Sequence, residues 1–499
     1  MAFDPVARAL VGALKQNLSS TVSGSDGDSY VGSNDGAAGS MWTSVAGFIN
    51  YLRGNSGSGV LGFLPAGTGA VARTVQAKLA ENVSVKDFGA KGDGSTDDTA
   101  AIQAAITAVG AAGGGRLLVP PGTYKISAQI TAAANVNLYA NYSARNTPAT
   151  MQAASGFTGR MIYVPQAAAS FSVSGISFLS TVTADSSIYI DASSVGVSYC
   201  GFNFSGRAGV ELSANSIACE VAHCTGTNLV YQRSALTAAV GGLHVLGTDH
   251  YITDNEFNCW SGNNTVVSSG AYACSIYIGG ANHFLVGNIG EFGETGVWVD
   301  ANKSRFTGNR ADRCMGHGWV IPGASNCFTA CQAVQCGTGA TNSYDGWQIS
   351  GVLNRFVGCM VPYLGQSTLR YGWNDKVDSY TQKNEMVGCS CDEAYGTSAY
   401  HNNFDGGGFL FGTGFYTQTS GSVIDVSGKT NIVLYYTTAQ TVTQMTGGVN
   451  GQTVRLMAVN GNVTVHNNQF KTLTGADIVL QQFAVYEFTW WNYGWMQHA

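Results

Sequence analysis

Two acidic residues at matching places in a repeated motif are the first candidates for chemistry. Glu291 and Asp312 each follow by three positions an asparagine that ends a short apolar motif, Asn288 and Asn309. If the two motifs stack on adjacent coils of a parallel sheet, the acids lie one strand spacing apart, about 5 Å. That is close to the separation of the carboxyl groups in a retaining glycosidase, where repulsion keeps one of them protonated. The same acids could instead form a solvated face that ion-pairs with neighbouring arginines.

Residues near this pair could hold a substrate. Arg310 and Arg313 flank Asp312 and could orient a substrate or pair with the acids. Trp298 and Trp319 each follow their asparagine by ten positions, which predicts that they repeat in register on the same two coils. An outward tryptophan row would stack on sugar rings, whereas an inward row would fill the core.

A rival set of residues would suit elimination better than hydrolysis. Glu294, His317 and Asp345 each precede a predicted strand that contains a tryptophan. His317 would be the base of a lyase acting on a uronic acid, with an arginine neutralising the carboxylate, or it would be a hydrogen-bonded structural residue. The candidate catalytic residues are therefore Glu291, Asp312 and Glu294, and the candidate substrate-binding residues are Trp298, Trp319, Arg310, Arg313, His317 and Asp345.

No metal ion and no cofactor are expected at this site. The sequence has no dense aspartate cluster of the kind that binds Ca²⁺. The 12 cysteines lie mostly among apolar residues, and their closest groupings (Cys327, Cys331 and Cys336; Cys389 and Cys391) lack zinc-site spacing. We predict buried free thiols that act as small apolar side chains.

The composition suits a large protein made of short strands and many turns. The 499 residues include 66 glycines, and only 11% are charged. A net charge of −6 argues against a nucleic-acid partner, which would require a basic surface. The sequence shows neither a signal peptide nor an apolar run of about 18 residues, so we expect no membrane insertion.

An irregular repeat fills residues 128–415. An apolar residue stands three positions before an anchor residue, and the anchors recur at intervals of roughly 20 to 30 residues. The pairs are Phe171/Ser174, Val197/Cys200, Val221/Cys224, Ile252/Asn255, Leu285/Asn288, Phe306/Asn309, Phe328/Cys331, Phe356/Cys359 and Met386/Cys389. A fixed local pattern with variable loops predicts a parallel β-helix, in which the asparagines stack inward as a hydrogen-bonded ladder that the cysteines continue.

Residues 83–127 predict a strand, a glycine turn, a helix, a second glycine turn and further strands. Asp97 and Asp98 would cap the helix through their side-chain oxygens. Apolar residues at helical spacing would form its buried face; they are Ile102, Ala105, Ile106 and Val109. We expect this helix to cover the open end of a stacked sheet.

The same stretch carries a family resemblance. Its segments DFGAKGDGSTDDTAAIQAAI and GGGRLLVPPGTY resemble the start of the pectate-lyase-like superfamily in the form carried by bacteriophage tailspikes, and residues 66–79 are similar to a tailspike neck. The resemblance covers roughly a tenth of the chain. It implies a right-handed parallel β-helix, a single-stranded solenoid, in a homotrimer on a phage tail, and it says nothing direct about the substrate.

Four regions follow from these patterns. Residues 1–82 are expected to form a small helical region for attachment to the virion rather than a flexible leader, because the apolar stripe of residues 5–18 needs a partner. Residues 83–127 form the capping helix and first coil, and residues 128–415 the β-helix. Period-two alternation in residues 416–499 predicts an antiparallel β-sandwich for trimerisation or glycan binding.

Three functions remain open on this all-β fold. The first is a tailspike that binds a bacterial surface polysaccharide, a capsule or O-antigen, and cleaves it by carboxylate-based glycoside hydrolysis. The second is a polysaccharide lyase, and the third is a receptor-binding tail protein without enzymatic activity. The expected partners are the polysaccharide, two further copies of the chain and phage tail or baseplate proteins. The chain would be made in the bacterial cytoplasm and act outside the cell as part of the virion.

Overall fold

The computed structural model describes most of the chain beyond residue 56. The described residues are 57–59, 61–141, 149–181, 184–203, 206–229, 240–259, 273–339, 343–362, 369–375, 384–387, 389–391, 403–404, 410–412, 415–418, 421–426, 431–434, 436, 438–448, 451–458, 463–482, 484–491 and 494–498. The apolar stripe predicted within residues 5–18 lies outside them. Among the described residues, no helix is both long enough and apolar enough to cross a membrane.

The chain divides into two compact units, Met1–Val83 and Ser84–Ala499. The described part of the first contains a 3-10 helix, Gly57–Gly59, and two antiparallel strands, Gly62–Phe63 and Arg73–Thr74. The helix Val75–Leu79 follows, and the Thr74 hydroxyl accepts a hydrogen bond from its first turn. A two-residue strand, Val83–Ser84, spans the boundary between the units.

The predicted helix lies near the start of the second unit. A 3-10 helix, Val85–Phe88, and a strand, Asp93–Asp97, lead into the α-helix Thr99–Ala111. The apolar face of that helix is buried as predicted, through Ile102, Ala105, Ile106 and Val109. A further 3-10 helix, Gln166–Ala168, occurs later in the chain.

The capping prediction is wrong for Asp98. This residue occupies the N-cap position, but its side chain makes no capping hydrogen bond. Its carboxylate instead accepts from the backbone N–H groups of Lys91 and Gly92, at 2.6 and 3.1 Å, which fixes the preceding glycine turn. Asp97 does accept a hydrogen bond from the N–H of Thr99, at 3.1 Å.

Three parallel sheets run through the second unit, and each coil contributes one strand to each sheet. Sheet 1 contains Gly115–Leu118, Val136–Tyr139, Ser172–Ser174, Gly196–Ser198, Glu220–Ala222, Tyr251–Thr253, Phe284–Val286, Arg305–Thr307, Cys327–Thr329, Arg355–Val357, Glu385–Val387 and Leu410–Gly412. Sheet 2 contains Asp93–Asp97, Gly122–Ile126, Ala149–Ala153, Ile176–Leu179, Gly201–Asn203, Thr225–Thr227, Glu256–Asn258, Ile289–Glu291, Arg310–Asp312, Gln332–Val334, Met360–Val361 and Ser390–Cys391. Sheet 3 contains Ile130–Thr131, Ile162–Val164, Ser186–Ile190, Ala208–Leu212, Val240–Val245, Ala273–Ile278, Thr295–Val299, Trp319–Ile321, Asp345–Ile349, Tyr371–Asp375 and Asn403–Phe404. The predicted right-handed parallel β-helix is confirmed.

The apolar column of sheet 1 follows the predicted repeat, with one correction. Val197 pairs with Val221, and Leu285 pairs with Phe306, as the motif requires. The expected first member, Phe171, is out of register, because Val173 is the residue that pairs with Val197. The member of the column on this coil is therefore Val173, two residues after the predicted position.

The predicted asparagine ladder lies at the corner between sheets 1 and 2. Asn255 Nδ2 donates to Asn288 Oδ1 at 2.9 Å, and Asn288 Nδ2 donates to Asn309 Oδ1 at 2.8 Å. Each Oδ1 also accepts from the backbone N–H of the asparagine one coil earlier, at 3.1 and 2.9 Å. Cys331 continues the column as a buried thiol. The ladder satisfies buried backbone groups that the sharp corner removes from the sheets.

A second ladder, absent from the sequence prediction, lies at the corner between sheets 3 and 1. The backbone N–H of Cys219 donates to His250 Nδ1 at 3.0 Å, and that of His250 donates to His283 Nδ1 at 3.3 Å. The column then continues through hydroxyl and amide side chains: Ser304, Asn326, Asn354 and Asn384. Different residue types thus fill one structural role, as hydrogen-bond acceptors for the preceding coil.

Two aromatic stacks fill the core between these corners. The tryptophans Trp319, Trp347 and Trp373 stack along sheet 3, with ring centroids 4.7 and 4.8 Å apart. The phenylalanines of sheet 1 stack in parallel and meet the tryptophan edges in T-shaped contacts: Phe306, Phe328 and Phe356. The described cysteines are free thiols and most are buried, as predicted.

Residues beyond 414 form smaller sheets with their own apolar core. A six-stranded sheet contains, in spatial order, Phe415–Gln418, Asn431–Leu434, Thr453–Ala458, Val485–Trp491, Gly494–Gln497 and Phe470–Lys471. Its neighbours are the pair Val423–Asp425 with Gln444–Thr446, and the triplet Gln440–Val442, Val463–Val465 and Ile478–Val479. The predicted antiparallel pairing occurs among the last strands, and the earlier strands pair in parallel. The parallel pairs were not predicted from the sequence.

Replacing an internal rung of the asparagine ladder should destabilise the fold. In Asn288→Ala, the backbone N–H of Asn255 and the carbonyl of Ile252 lose their partner in a buried site. We expect a loss of about 2–5 kcal/mol in the free energy of unfolding, measured by urea denaturation. The matched control Cys331→Ala in the same column should cost only about 1 kcal/mol, and an equal loss in both variants would contradict the ladder's role.

The histidine rungs predict acid sensitivity. Burial, together with the neighbouring His283, lowers the pKa of His250 to about 4, and burial also lowers the pKa of His283. The unfolded chain therefore takes up protons below about pH 6.5 while the folded chain does not, so stability should fall by about 3 kcal/mol as pH drops from 6.5 to 4. In the double variant His250→Asn/His283→Asn, the free energy of unfolding, measured by urea denaturation, should depend less steeply on pH across this range. The half-exposed His466→Asn should keep the wild-type slope.

Candidate functional site

The corner that joins sheet 2 to sheet 3 carries all three candidate catalytic acids. Glu291 ends the strand Ile289–Glu291, and Asp312 ends Arg310–Asp312. The two residues are Cα partners in the parallel register, so the prediction that they lie opposite each other on adjacent coils is confirmed. Adjacent strands of a sheet are about 4.8 Å apart. The acids therefore form a neighbouring pair where the strands end.

The two arginines bind the acids directly. Arg313 donates to Glu291 Oε1 at 2.8 Å, and its Nε lies 3.5 Å from Asp312 Oδ2. Arg310 donates to Asp312 Oδ2 at 2.6 Å. The Glu291 and Asp312 side chains are only 10% and 5% exposed, whereas those of Arg313 and Arg310 are 46% and 40% exposed. The ion-pairing alternative is therefore what this structure shows, with the arginines on the solvent side of the acids.

The environment separates the two acids chemically. Burial raises the pKa of Glu291, while the hydrogen bond and charge of Arg313 act in the opposite direction and Glu256 and Asp312 add to the increase. Asp312 Oδ1 is buried and accepts no hydrogen bond in the described structure. Glu291 is thus the acid biased towards protonation, and Asp312 retains a free acceptor oxygen.

Glu294, His317 and Asp345 lie on the same corner but do not form one column. His317 and Asp345 face each other on adjacent coils, because the backbone N–H of Asp345 donates to His317 Nδ1 at 3.0 Å. Glu294 lies one position before the column that contains His317 and Asp345. The backbone N–H of Gly296, two residues after Glu294, donates to the carbonyl of His317, which fixes this register. Glu294 is buried, with 6% of its surface exposed.

The surroundings of His317 give it a structural role. A backbone N–H donor at Nδ1 occupies the lone pair of the neutral ring, so the proton resides on Nε2. Nε2 lies 3.4 Å from the Gln348 side-chain amide. With its lone pair engaged, His317 cannot act as a general base in this arrangement, which weakens the lyase interpretation of this residue.

Asp345 is a fully buried carboxylate held by partners that the sequence analysis did not identify. Arg370 binds it through two nitrogens, at 3.0 and 2.8 Å, and Asn374 Nδ2 donates to it at 2.7 Å. Arg370 could have been found from the stacking rule, since it directly precedes the strand that pairs with Asp345. Arg370, the arginine next to the His317–Asp345 contact, is therefore engaged by this acid.

The prediction that Trp298 and Trp319 share a register is wrong. Val297 pairs with Trp319, while Trp298 pairs with Val320, so the two indole rings lie on opposite faces of sheet 3. Trp319 is fully buried in the core stack and is unavailable to a substrate. Trp298 is half-buried on the outer face.

The outer face of sheet 3 carries an aromatic and polar row that the sequence analysis missed. Tyr277 pairs in register with Trp298, and its ring stacks on His244 at 4.5 Å. Its hydroxyl donates to Asp300 at 3.3 Å. Further along the row, the buried Glu211 accepts from Ser186 at 2.6 Å. Only the pleat alternation of each strand could have identified this row from the sequence.

No group of three or more His, Cys, Asp or Glu side chains is arranged to hold a metal ion within the described ranges.

The two tryptophans should respond differently to truncation. Trp319→Ala removes a fully buried ring from the stack and should lower the free energy of unfolding by about 3–5 kcal/mol. Trp298→Ala, on the outer face of the neighbouring coil, should cost about 1 kcal/mol. Chemical denaturation of both variants measures this difference. Similar losses would show that Trp298 belongs to the core.

Comparisons with known proteins agree with the fold. Residues 82–320 match the sequence model of a family described as rhamnogalacturonase A/epimerase, pectate lyase-like. Mannuronan C5-epimerase AlgE3 of Azotobacter vinelandii is 66% identical over 44 residues, which are 9% of this chain and 2% of that protein. The tail spike protein of an Escherichia phage is 45% identical over 71 residues, 14% of this chain and 8% of that protein. The chain therefore aligns with less than a tenth of the length of these relatives.

A solved structure extends the likeness beyond these short segments. A doubly substituted tailspike protein of Escherichia coli bacteriophage HK620 matches with a TM-score of 0.50 at 14% identity, covering 84% of this chain and 86% of that chain. At this identity the likeness establishes the fold alone. Residues 82–320 are thus similar to a pectate-lyase-like family, and the chain has the right-handed parallel β-helix fold that this phage tailspike also has.

Proposed function

We propose that the protein is a phage tailspike that recognises a bacterial surface polysaccharide and cleaves it by carboxylate-based glycoside hydrolysis. The observation that carries this proposal is the in-register pair of Glu291 and Asp312, buried at one corner of a tailspike-like β-helix. The homotrimer, the place on the virion tail and the polysaccharide partner belong to the same proposal. They draw support from the segment shared with a phage tail spike protein.

The pair suits a retaining mechanism. Glu291, whose pKa burial raises, donates its proton to the leaving glycosidic oxygen as the bond to the anomeric carbon breaks. Asp312 attacks that carbon and forms a glycosyl ester. Glu291, now ionised, removes a proton from water, which displaces Asp312 and releases the sugar. The strand spacing of about 4.8 Å is near the roughly 5–5.5 Å carboxyl separation of retaining enzymes.

The arginines would control access to this pair. Arg310 and Arg313 have side chains 40% and 46% exposed, so they can turn towards a glycan without breaking core packing. Turning away from the acids exposes the carboxyls, and removing Arg313 from Glu291 favours its protonated form. Substrate binding would thus favour the protonated form of Glu291 that the mechanism requires.

The outer face of sheet 3 would seat the sugar units next to the cleavage point. Tyr277 and Trp298 are half-buried and in register on adjacent coils, with Asp300 hydrogen-bonded to the tyrosine. Aromatic faces stack on sugar rings and carboxylates bind their hydroxyls. Glu294 directly precedes the sheet 3 strand Thr295–Val299, three residues after Glu291, and serves as the alternative proton donor.

A lyase is the second candidate function. It draws support from Tyr344, whose ring is perpendicular to that of His317 with the centroids 5.3 Å apart. The Tyr344 carbonyl accepts from the backbone N–H of Arg370 at 2.6 Å. Tyrosine is among the side chains that act as general bases in catalysis. The engagement of Arg370 by Asp345 disfavours this candidate relative to hydrolysis.

The proposed regions divide the remaining work. Residues 1–82 would attach the protein to phage tail or baseplate proteins, and residues 83–127 would cap the helix. The coils of residues 128–415 would carry the active site, and residues 416–499 would close the trimer or bind glycan.

Conservative replacement of the acids should abolish cleavage. Glu291→Gln and Asp312→Asn keep the side-chain shape and remove the proton donor or the nucleophile, so we expect at least a 100-fold loss of reducing ends released from host capsule or O-antigen. Glu220→Gln, an exposed carboxylate on sheet 1, is the matched control and should retain full activity.

The products distinguish the candidate functions. New reducing ends without the ultraviolet absorbance of an unsaturated uronate indicate hydrolysis. That absorbance would replace hydrolysis by the lyase, and intact polysaccharide bound to the wild-type protein would leave only the receptor-binding function. Full activity in both acid variants would place the site elsewhere.

A further inference from the structure

A separate pocket lies on the outer side of sheet 1, spanning three adjacent coils. It has a volume of about 280 Å³ and is lined by Asp249, Tyr251, Asn282, His283, Phe284, Lys303 and Arg305. Two columns form it. Tyr251, Phe284 and Arg305 are register partners along sheet 1. Three left-handed corner residues form the second column: Asp249, Asn282 and Lys303.

Lys303 and Arg305 are the two cations of this pocket. Within the part of the chain that the structure describes, the side chains of Lys303 and Arg305 form neither an ion pair nor a hydrogen bond. Arg355 occupies the same column two coils further on, and its Nε pairs with Glu385 at 3.0 Å. Only 11% of the residues are charged, so two cations in one depression, without a partner among the described residues, are a distinctive feature.

Two exposed aromatic rings lie beside the cations. Tyr251 and Phe284 are 57% and 40% exposed, and their ring centroids are 6.2 Å apart. Aromatic faces on a surface attract the apolar faces of flat ring-shaped ligands, sugars among them. Cations placed at the end of such a platform select a ligand that also carries a negative charge.

The opposite end of the pocket has different chemistry. Asp249 and Asn282 are exposed polar residues that can accept hydrogen bonds from hydroxyl groups. His283 contributes only a wall, because its Nδ1 accepts from a backbone N–H and its Nε2 lies 2.7 Å from the Gly279 carbonyl. The charge difference along the pocket would orient a ligand with its anionic group towards Lys303 and Arg305.

We propose that this pocket binds an acidic sugar unit, a pyranose that carries a carboxylate. The ring lies against Phe284 and Tyr251, the carboxylate meets Arg305 and Lys303, and the hydroxyls meet Asn282 and Asp249. The pocket lies on sheet 1, whereas the acid pair lies at the corner between sheets 2 and 3. It is therefore a binding site distinct from the proposed catalytic site, and it does not depend on cleavage.

Binding of a monosaccharide tests this site without cleavage chemistry. Ligand-observed saturation-transfer NMR with glucuronic acid should show saturable binding to the full-length protein, at least about tenfold stronger than with glucose. Arg305→Ala and Phe284→Ala should each weaken glucuronic acid binding at least about tenfold. Glu291→Gln should leave it unchanged, because that residue belongs to the other site.

The control Arg355→Ala makes the test specific. This variant removes an exposed arginine from the same sheet face and should bind glucuronic acid like the wild type. The proposal would be overturned if glucose bound as strongly as glucuronic acid, or if Arg355→Ala weakened glucuronic acid binding as much as Arg305→Ala does. It would also be overturned if sulfate displaced glucuronic acid while Phe284→Ala bound it as strongly as the wild type. A further contradicting result would be that the wild-type protein does not bind glucuronic acid and that Arg305→Ala changes the oligomeric state, measured by light scattering. That result would assign this face to contact between copies of the chain.

Discussion

The structure depends on how each coil satisfies the backbone groups of the one before it at the corners. Between the sheets the chain turns too sharply for ladder hydrogen bonding, so side chains accept from the freed N–H groups. Asn288 accepts from Asn255, and His283 accepts from His250. Left-handed residues such as Asp254 and Asn282 make the turns possible. Because an unpaired buried N–H is costly, these ladders lock one coil onto the next in a single register.

That register determines the geometry of the acid pair. Asn288 and Asn309 are locked together, and Glu291 and Asp312 follow them by equal lengths of chain, so the acids must face each other. Two buried carboxylates so placed repel each other, and Arg313 contacts both. The guanidinium offsets this repulsion, and in the proposed mechanism its departure would make the acids available to the substrate. A polar substrate that competes for the arginine thus has a direct effect on the acids.

The sequence predicts residue positions correctly where the number of residues between equivalent positions is the same on adjacent coils. It predicts them wrongly where that number differs. The asparagine column, the helix face and the acid pair follow from motifs of fixed length. Trp298 and Trp319 were misassigned because the corner after Asp312 is one residue longer than the corner after Glu291, so equal counting reverses the face of the strand. The histidine ladder has no sequence motif, because its members share only an acceptor atom.

The pocket on sheet 1 and the acid pair belong to the same coils. Arg305 begins the sheet 1 strand that leads through Asn309 to Asp312, and Phe284 stands in the same relation to Glu291. The rigid asparagine corner therefore holds the two sites at a fixed separation on neighbouring faces. A polysaccharide with acidic units could be held on sheet 1 while another part of the chain reaches the acids. Attachment to two sites raises the effective concentration of the polymer at the second, even when each site alone binds weakly.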